Sequence, residues 1–157
     1  PDPSPIGDFE RVLPRYPSTD VVRVHDGVSY YSAGVLNIDG NIVQRWRYED
    51  SDIAPGERIV ECFTPFLLYL LGQGLATRTL QRHRDHLWML GGEIIRRLHE
   101  EPALRRKSVK TVILQLIDDE CGPLIWPRIT EQQQNSFDTT CRKLYQFLIA
   151  TSKPAAQ

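Results

Sequence analysis

A length of 157 residues with 41% hydrophobic content allows one sizeable core, which excludes a disordered chain and a disulfide-stapled miniprotein. The formal net charge of −1 by itself argues against a nucleic-acid partner. No membrane association is expected, because no apolar run approaches the roughly 20 residues that a bilayer crossing requires. Three widely spaced cysteines and the lack of an N-terminal signal pattern predict reduced thiols and a cytoplasmic location.

The N-terminal part is predicted to contain an extended arm and a small sheet. Five prolines among the first seventeen residues favour an extended arm over residues 1–19. Residues 20–58 show strand-like runs, and Asp26-Gly27 between two of them suits a tight hairpin because both residues tolerate positive φ. An acidic linker ending in Pro55-Gly56 follows. The predicted strands of this antiparallel β-meander are residues 20–25, 28–33, 35–38 and 42–48.

Residues 59–150 are predicted to form a four-helix bundle, followed by a flexible tail over residues 151–157. The first helix is expected over residues 59–71 with Pro65 in its first turn, and Thr77 is expected to cap the second. The second helix should end at Glu101-Pro102, Ser108 should open the third, and the fourth should span about 131 to 149. The predicted fold class is therefore α+β, a small N-terminal antiparallel β-meander followed by a four-helix bundle.

Helical spacing also predicts which side chains the bundle buries. Two glycines in the second helix, Gly91 and Gly92, either weaken or kink it or allow another backbone to pack closely. The expected buried positions in the last three helices are Leu80, Leu87, Leu90, Ile94, Val109, Val112, Ile113, Leu116, Ile117, Phe137, Cys141, Leu144, Tyr145 and Leu148.

Segment 44–48, QRWRY, has two interpretations. Alternation in a strand places Arg45 and Arg47 on one face, where they could enter a DNA groove, and Trp46 and Tyr48 on the other. The surrounding segment is net acidic, so we favour the second interpretation, in which Trp46 and Tyr48 pack the meander onto the bundle.

Positive charge is concentrated in one segment of this nearly neutral chain. Residues 77–110 contain nine Lys and Arg against four Asp and Glu, whereas residues 1–61 contain six against eleven. A phosphate-contacting surface requires such a concentration. A solvated helix face gives the same pattern if its arginines pair with neighbouring acids, as Arg97 would with Glu93 or Glu101.

The segment FLLYLLGQGLATRTLQRHRDHLWML, residues 66–90, reads as an apolar helix, a glycine-marked turn and a basic helix. It resembles the opening of the core-binding domain of tyrosine recombinases (phage integrases), a four-helix domain of the SAM-like type. The positions that match the pattern of that family are Leu75, Ala76, Thr79, His83 and Leu87. The resemblance covers roughly residues 60–150 and implies a domain that grips DNA, of the kind that mobile elements encode.

Several residues depart from the family pattern. Ala76 stands where Ser is usual and His83 where Tyr is usual, while Gly91-Gly92 interrupts a helix that is normally continuous. We expect no catalytic domain, since the sequence leaves no segment for the Arg, His-x-x-Arg and Tyr residues of the recombinase reaction. The resemblance therefore implies DNA binding without catalysis.

If the resemblance holds, the helix from Thr77 to about Leu90 lies along the major groove of double-stranded DNA. Arg78, Arg82 and Arg84 would contact phosphates or guanine edges, while Thr79 would contact a phosphate and Gln81 an adenine. A local cap for Thr79 and simple solvent exposure for Gln81 remain open. Additional backbone attraction would come from Arg105, Arg106, Lys107 and Lys110.

Neither a metal site, a cofactor nor an enzymatic activity is predicted. A metal site could draw on His83, His86, His99 and Asp85, but His83 and His86 lie three residues apart without a third ligand at fixed spacing. The three histidines are therefore interpreted as ordinary helix histidines. The acidic run 118–120 is interpreted as a solvated turn. The sequence shows no nucleophile elbow, thiol-protease signature or glycine-rich phosphate loop.

The alternative function class is a protein–protein interaction module or inhibitor. In this hypothesis an acidic N-terminal face that includes Glu49, Asp50 and Asp52 engages a basic partner, and the bundle serves as a scaffold. A homodimer through the last helix is compatible with both function classes.

Overall fold

The computed structural model describes Val43 and residues 45–152, and all regular secondary structure in this part of the chain is helical. Two short 3-10 helices, Asp50–Asp52 and Pro102–Arg106, precede the first and third α-helices. No helix among these residues is both long and apolar enough to span a bilayer. The four α-helices are α1 (Ile53–Leu71), α2 (Thr77–Glu100), α3 (Val109–Leu116) and α4 (Glu131–Ser152).

The predicted α+β fold is wrong, because the described residues contain no strand and the predicted strand 42–48 is helical at Val43, Arg45 and Trp46. Val43 and Trp46 are both buried and lie three residues apart. That spacing puts them on one side of a helix, whereas a strand would turn them to opposite faces. The arm 1–19, the other three predicted strands and residues 153–157 of the predicted tail lie outside the described residues.

Helix α1 begins six residues before its predicted start, so the end of the predicted linker is its first turn. Pro55 is tolerated there because amides of a first turn have no intrahelical acceptor. Gly56 is buried beneath the side chains of Val43 and Trp46. A Cβ atom added at Gly56 would lie 2.8 Å from Val43 Cγ1, so glycine suits this position. Pro65 lies inside α1 and not in its first turn, which corrects that prediction.

The three other predicted helices are confirmed, with small differences at their ends. Gly74 has a φ of 72° in the turn between α1 and α2, as expected of a glycine-marked turn. The N-cap of α2 is Ala76 and makes no side-chain cap, so the prediction of a Thr77 cap is wrong. Ser108 caps α3 as predicted, since its Oγ accepts a hydrogen bond from the Thr111 amide at 3.1 Å.

Helix α2 is the central helix, with contacts to both α1 and α4, while α3 packs on α1. The core between them holds the fully buried side chains Phe63, Phe66, Leu87, Leu90, Ile94 and Phe137. The predicted buried stripe of α2 is confirmed because its four leucine and isoleucine positions are all buried. In the other two helices, Val109, Leu116 and Tyr145 are partly buried against this core.

Trp46 links the residues before α1, which we call the N-terminal segment, to α2. Its indole occupies a slot at Gly91. A Cβ atom at Gly91 would lie 2.1 Å from the Trp46 ring, so only glycine leaves room for the indole. The indole Nε1–H donates to the Trp88 carbonyl at 3.1 Å, and Trp46 is 4% exposed. The packing interpretation is confirmed for Trp46, while Tyr48 is 72% exposed. Helix α2 is continuous through Gly91 and Gly92, so the two glycines do not break it. They leave room for the Trp46 side chain and not for another backbone.

Candidate nucleic-acid interface

Arg78 and Arg82 lie one turn apart near the start of α2, and both are exposed. They share one face because residues four apart are neighbours on a helix. The opposite face carries Leu80, Leu87 and the other core positions, which hold α2 in place. Within residues 45–152, neither arginine forms an ion pair. Both guanidinium groups therefore face solvent and are free to meet an anion.

Thr79 and Gln81 lie beside the two arginines and are each partly exposed. Thr79 and Gln81 therefore lie at the edge of the surface that Arg78 and Arg82 form, where they could contact the same ligand. Asp85 follows Arg82 by three residues, and its side chain is 57% exposed. This carboxylate, which pairs with Arg84, ends the group of exposed positive charges that begins at Arg78.

Arg84 does not join the other predicted DNA contacts. It is 6% exposed, and its Nε and Nη2 donate to Asp85 Oδ1 at 2.9 Å and 2.5 Å. Arg84 lies four residues after Leu80 and three before Leu87, so helical spacing places it on the buried stripe. The same spacing in the sequence could have excluded it from the predicted surface.

The second predicted basic group lies beyond the other end of α2. From Arg78 to Glu100 the helix rises about 33 Å, so residues 105–110 cannot share a small patch with Arg78. Arg105 donates to the Ser51 carbonyl and to Asp52, and the Lys110 amino group donates to Ser152 Oγ. The two exposed residues of this group are Arg106 and Lys107.

Lys143 on α4 is a cation of this region that the sequence did not indicate. It is exposed, and it follows Thr140, whose hydroxyl binds His83 of α2, by three residues. Lys143 therefore lies about one helical turn from this contact, on the side where α2 packs against α4. We call Arg78, Arg82 and Lys143 the basic surface. No local pattern links Lys143 to α2, since the link depends on how the two helices pack.

His83 and His86 share one hydroxyl group of α4. Each Nδ1 lies 2.7 Å from Thr140 Oγ1. The hydroxyl can donate one hydrogen bond and accept two, so at least one of the two rings donates its Nδ1–H to this oxygen. Through this shared hydroxyl, His83 and His86 bind α2 to α4.

The surroundings of this pair favour neutral rings. Burial is the main cause that lowers the pKa of His83 to about 4, and the positive charges of Lys143 and Arg82 act in the same direction. Burial also lowers the pKa of His86, against the opposing charge of Asp85. Protonation of either ring therefore opposes the folded arrangement.

We expect the protein to lose stability as the pH falls from about 6.5 towards 4. The unfolded chain takes up a proton at His83 before the folded chain does, so the slope is about 1.4 kcal/mol per pH unit for this group. Urea unfolding of wild type and His83→Gln at several pH values tests this expectation. The variant should show a clearly smaller slope in that interval, and an equal slope would exclude His83 as the titrating group.

One member of the predicted acidic cluster, Asp52, is buried within the fold. Asp52 is fully buried and accepts hydrogen bonds from His99 Nε2 at 2.8 Å and Arg105 Nη2 at 2.9 Å. It also accepts from the amides of Tyr48 and Glu49, at 2.9 Å and 3.1 Å. Burial alone would raise the pKa of Asp52, but these hydrogen bonds lower it well below its ordinary value. Asp52 therefore holds the N-terminal segment against the end of α2.

The other two members of that cluster are accessible. The Asp50 side chain is 93% exposed and pairs with Arg47 at 3.1 Å. Glu49 Oε2 lies 3.5 Å from His99 Nδ1. Both ring nitrogens of His99 thus lie near carboxylates.

The histidines considered as metal ligands do not converge. His83 and His86 meet at Thr140, while His99 binds Asp52 at the opposite end of α2. Among the residues with described positions, no group of three or more His, Cys, Asp or Glu side chains could hold a metal ion.

The chain matches no protein-family model, no curated protein and no solved structure. The resemblance to the recombinase core-binding domain stays a prediction from the residue pattern.

Proposed function

We propose that the protein is a non-catalytic DNA-binding accessory protein that contacts double-stranded DNA through the basic surface. The observation that carries the proposal is the pair of exposed guanidinium groups of Arg78 and Arg82 on one face, free of ion pairs within residues 45–152. Guanidinium groups suit both phosphates and the guanine edge.

The first two turns of α2 are the part that would approach the duplex. The amide end of a helix carries partial positive charge, which adds to the charges of Arg78 and Arg82. Asp85 would repel phosphates further along the helix, so contact by the start of α2 is favoured over contact along its whole length. Lys143 supplies a third cation from α4.

Arg84 and Arg105 leave the proposed interface because their guanidinium groups are bound within the fold. The acidic-face alternative is weaker for a similar reason, since Asp52 is buried and bonded to His99 and Arg105. Arg106 and Lys107 lie beyond the far end of α2 and are too distant from Arg78 to contribute to the same small patch.

A salt-dependent binding experiment tests the proposal. Each phosphate contact contributes about 0.9 to the slope of log K against log salt concentration, so Arg78→Ala with Arg82→Ala should flatten the slope by about 1.8. Binding of a generic duplex at low salt should weaken at least tenfold, as fluorescence anisotropy would show.

A charge-matched control is Arg106→Ala with Lys107→Ala, which also removes two exposed positive charges but beyond the other end of α2. This variant should keep the wild-type slope. Equal losses in the two double variants would mean that net charge, and not the basic surface, drives binding. A wild-type protein that does not bind duplex DNA at low salt would overturn the proposal.

A further inference from the structure

A cavity of 310 Å³ lies between the first turn of α1, the end of α2 and the start of α3. Its volume is near the lower end of the roughly 300–1,000 Å³ that small-molecule pockets span. The floor belongs to the hydrophobic core and is formed by Ile94, Leu98, Leu104, Val109 and Val112. A rigid apolar floor of this kind favours the apolar part of a ligand.

Cations surround the opening of this cavity. Arg58, Arg105 and Lys107 contribute to its lining, whereas no Asp or Glu of the described residues does. Arg105 is bound to Asp52 and Ser51. Arg58 and Lys107 are exposed and form no ion pair within the part of the chain described here. The opening therefore presents two available positive charges above an apolar floor.

We propose that this cavity binds a small carboxylate with an apolar body. The apolar body lies on the floor, and the carboxylate accepts hydrogen bonds from Arg58 and Lys107 at the rim. A neutral ligand would use the floor but leave both cations without a counter-charge. The site lies at the opposite end of α2 from the basic surface, so it does not depend on DNA binding.

Three probes separate the two parts of the site. Octanoate has the body and the charge, 1-octanol has the body alone, and acetate has the charge alone. Methyl NMR spectra of the protein should show shifts of Ile94, Leu104 and Val109 with octanoate at millimolar concentration. At the same concentration, 1-octanol should bind more weakly and shift these methyl signals less. Acetate should leave the methyl signals unchanged.

Variants then test the rim and the floor. Arg58→Gln with Lys107→Gln should weaken octanoate binding by about tenfold, since each partly exposed ion pair contributes up to about fivefold, and should leave 1-octanol binding within twofold. Arg106→Gln is the matched control, because Arg106 is the exposed neighbour of Lys107 but does not line the cavity. Ala54→Trp places a large ring at the exposed edge and should abolish binding of both octanoate and 1-octanol.

The proposal is overturned if octanoate shifts none of these methyl groups, or if the double glutamine variant binds octanoate as the wild type does. A thermal unfolding scan of each variant confirms that it is folded. If Ala54→Trp is unfolded, Ala54→Leu gives the same test with a smaller side chain. Duplex DNA binding by wild type and by Arg58→Gln with Lys107→Gln should be equal, because the two sites are separate.

Discussion

Gly91→Ala is expected to destabilise the protein by about 1–3 kcal/mol, although alanine favours a helix more than glycine does. The added Cβ would lie 2.1 Å from the Trp46 indole. The indole has little freedom to move, because its Nε1–H is bonded to the Trp88 carbonyl and its other edge lies against Gly56. Urea unfolding followed by far-UV circular dichroism measures the loss.

Gly92→Ala is the matched control for this prediction. A Cβ at Gly92 would lie 3.6 Å from the Trp46 ring, which is an ordinary contact. This variant should gain about 0.5–1 kcal/mol from helix propensity alone. If the two alanine substitutions change the free energy of unfolding equally, the destabilisation does not arise from contact with the indole at Gly91.

Removal of the indole gives a second control. Trp46→Ala alone should cost about 3–5 kcal/mol, as expected for a large buried aromatic side chain. In that background Gly91→Ala no longer meets a ring, so it should be neutral or stabilising. A destabilising effect that persists without the indole would place its cause elsewhere in α2.

Asp52→Asn is expected to destabilise the protein by about 3–5 kcal/mol, because it leaves His99 and Arg105 without a buried anion. The wild-type carboxylate is fully buried and accepts hydrogen bonds from both side chains and two amides. Chemical unfolding at neutral pH measures the difference. Asp50→Asn is the matched control, because Asp50 lies two residues from Asp52 and its side chain is 93% exposed. This variant should change the free energy of unfolding by less than about 0.5 kcal/mol.

The contribution of Asp52 also depends on pH. Its folded pKa is lowered, so the stabilisation is complete above the ordinary value of 3.8 and is lost as the pH falls below it. This interval lies below the window of His83, which separates the two effects. When the free energy of unfolding is plotted against pH, Asp52→Asn should lack the loss of stability that this carboxylate causes below pH 3.8. A curve parallel to that of the wild type would assign the loss to other carboxylates.

The faces of individual helices were predictable from the sequence. Leucine and isoleucine spacing identified the buried stripe of α2, and the same spacing leaves Arg78 and Arg82 exposed. Arg84 was misassigned, although its distance from Leu80 and Leu87 already placed it on that stripe. Ser108 was recognised as a cap because an N-cap interaction is made within one turn.

Segment 43–56 was predicted wrongly because its structure depends on contacts with distant residues. Alternating side chains over 44–48 are compatible with a strand, but burial of Trp46 in the slot at Gly91 requires another geometry. Local preference in a short segment yields to such packing. The network of Asp52 with His99 spans 47 residues of sequence, so no local pattern could indicate it.

The sequence by itself determined the four α-helices apart from the start of α1, their inward faces and the pair of solvent-facing arginines at the start of α2, since helical periodicity and caps act over a few residues. The tertiary structure alone decided that Val43, Arg45, Trp46 and residues 50–56 are helical, that Arg84 and Arg105 are bound within the fold, and that Lys143 lies beside α2. These outcomes depend on side chains brought together from distant parts of the chain. The basic segment 77–110 is thereby divided into a small basic surface at one end of α2 and a cation-rimmed cavity at the other.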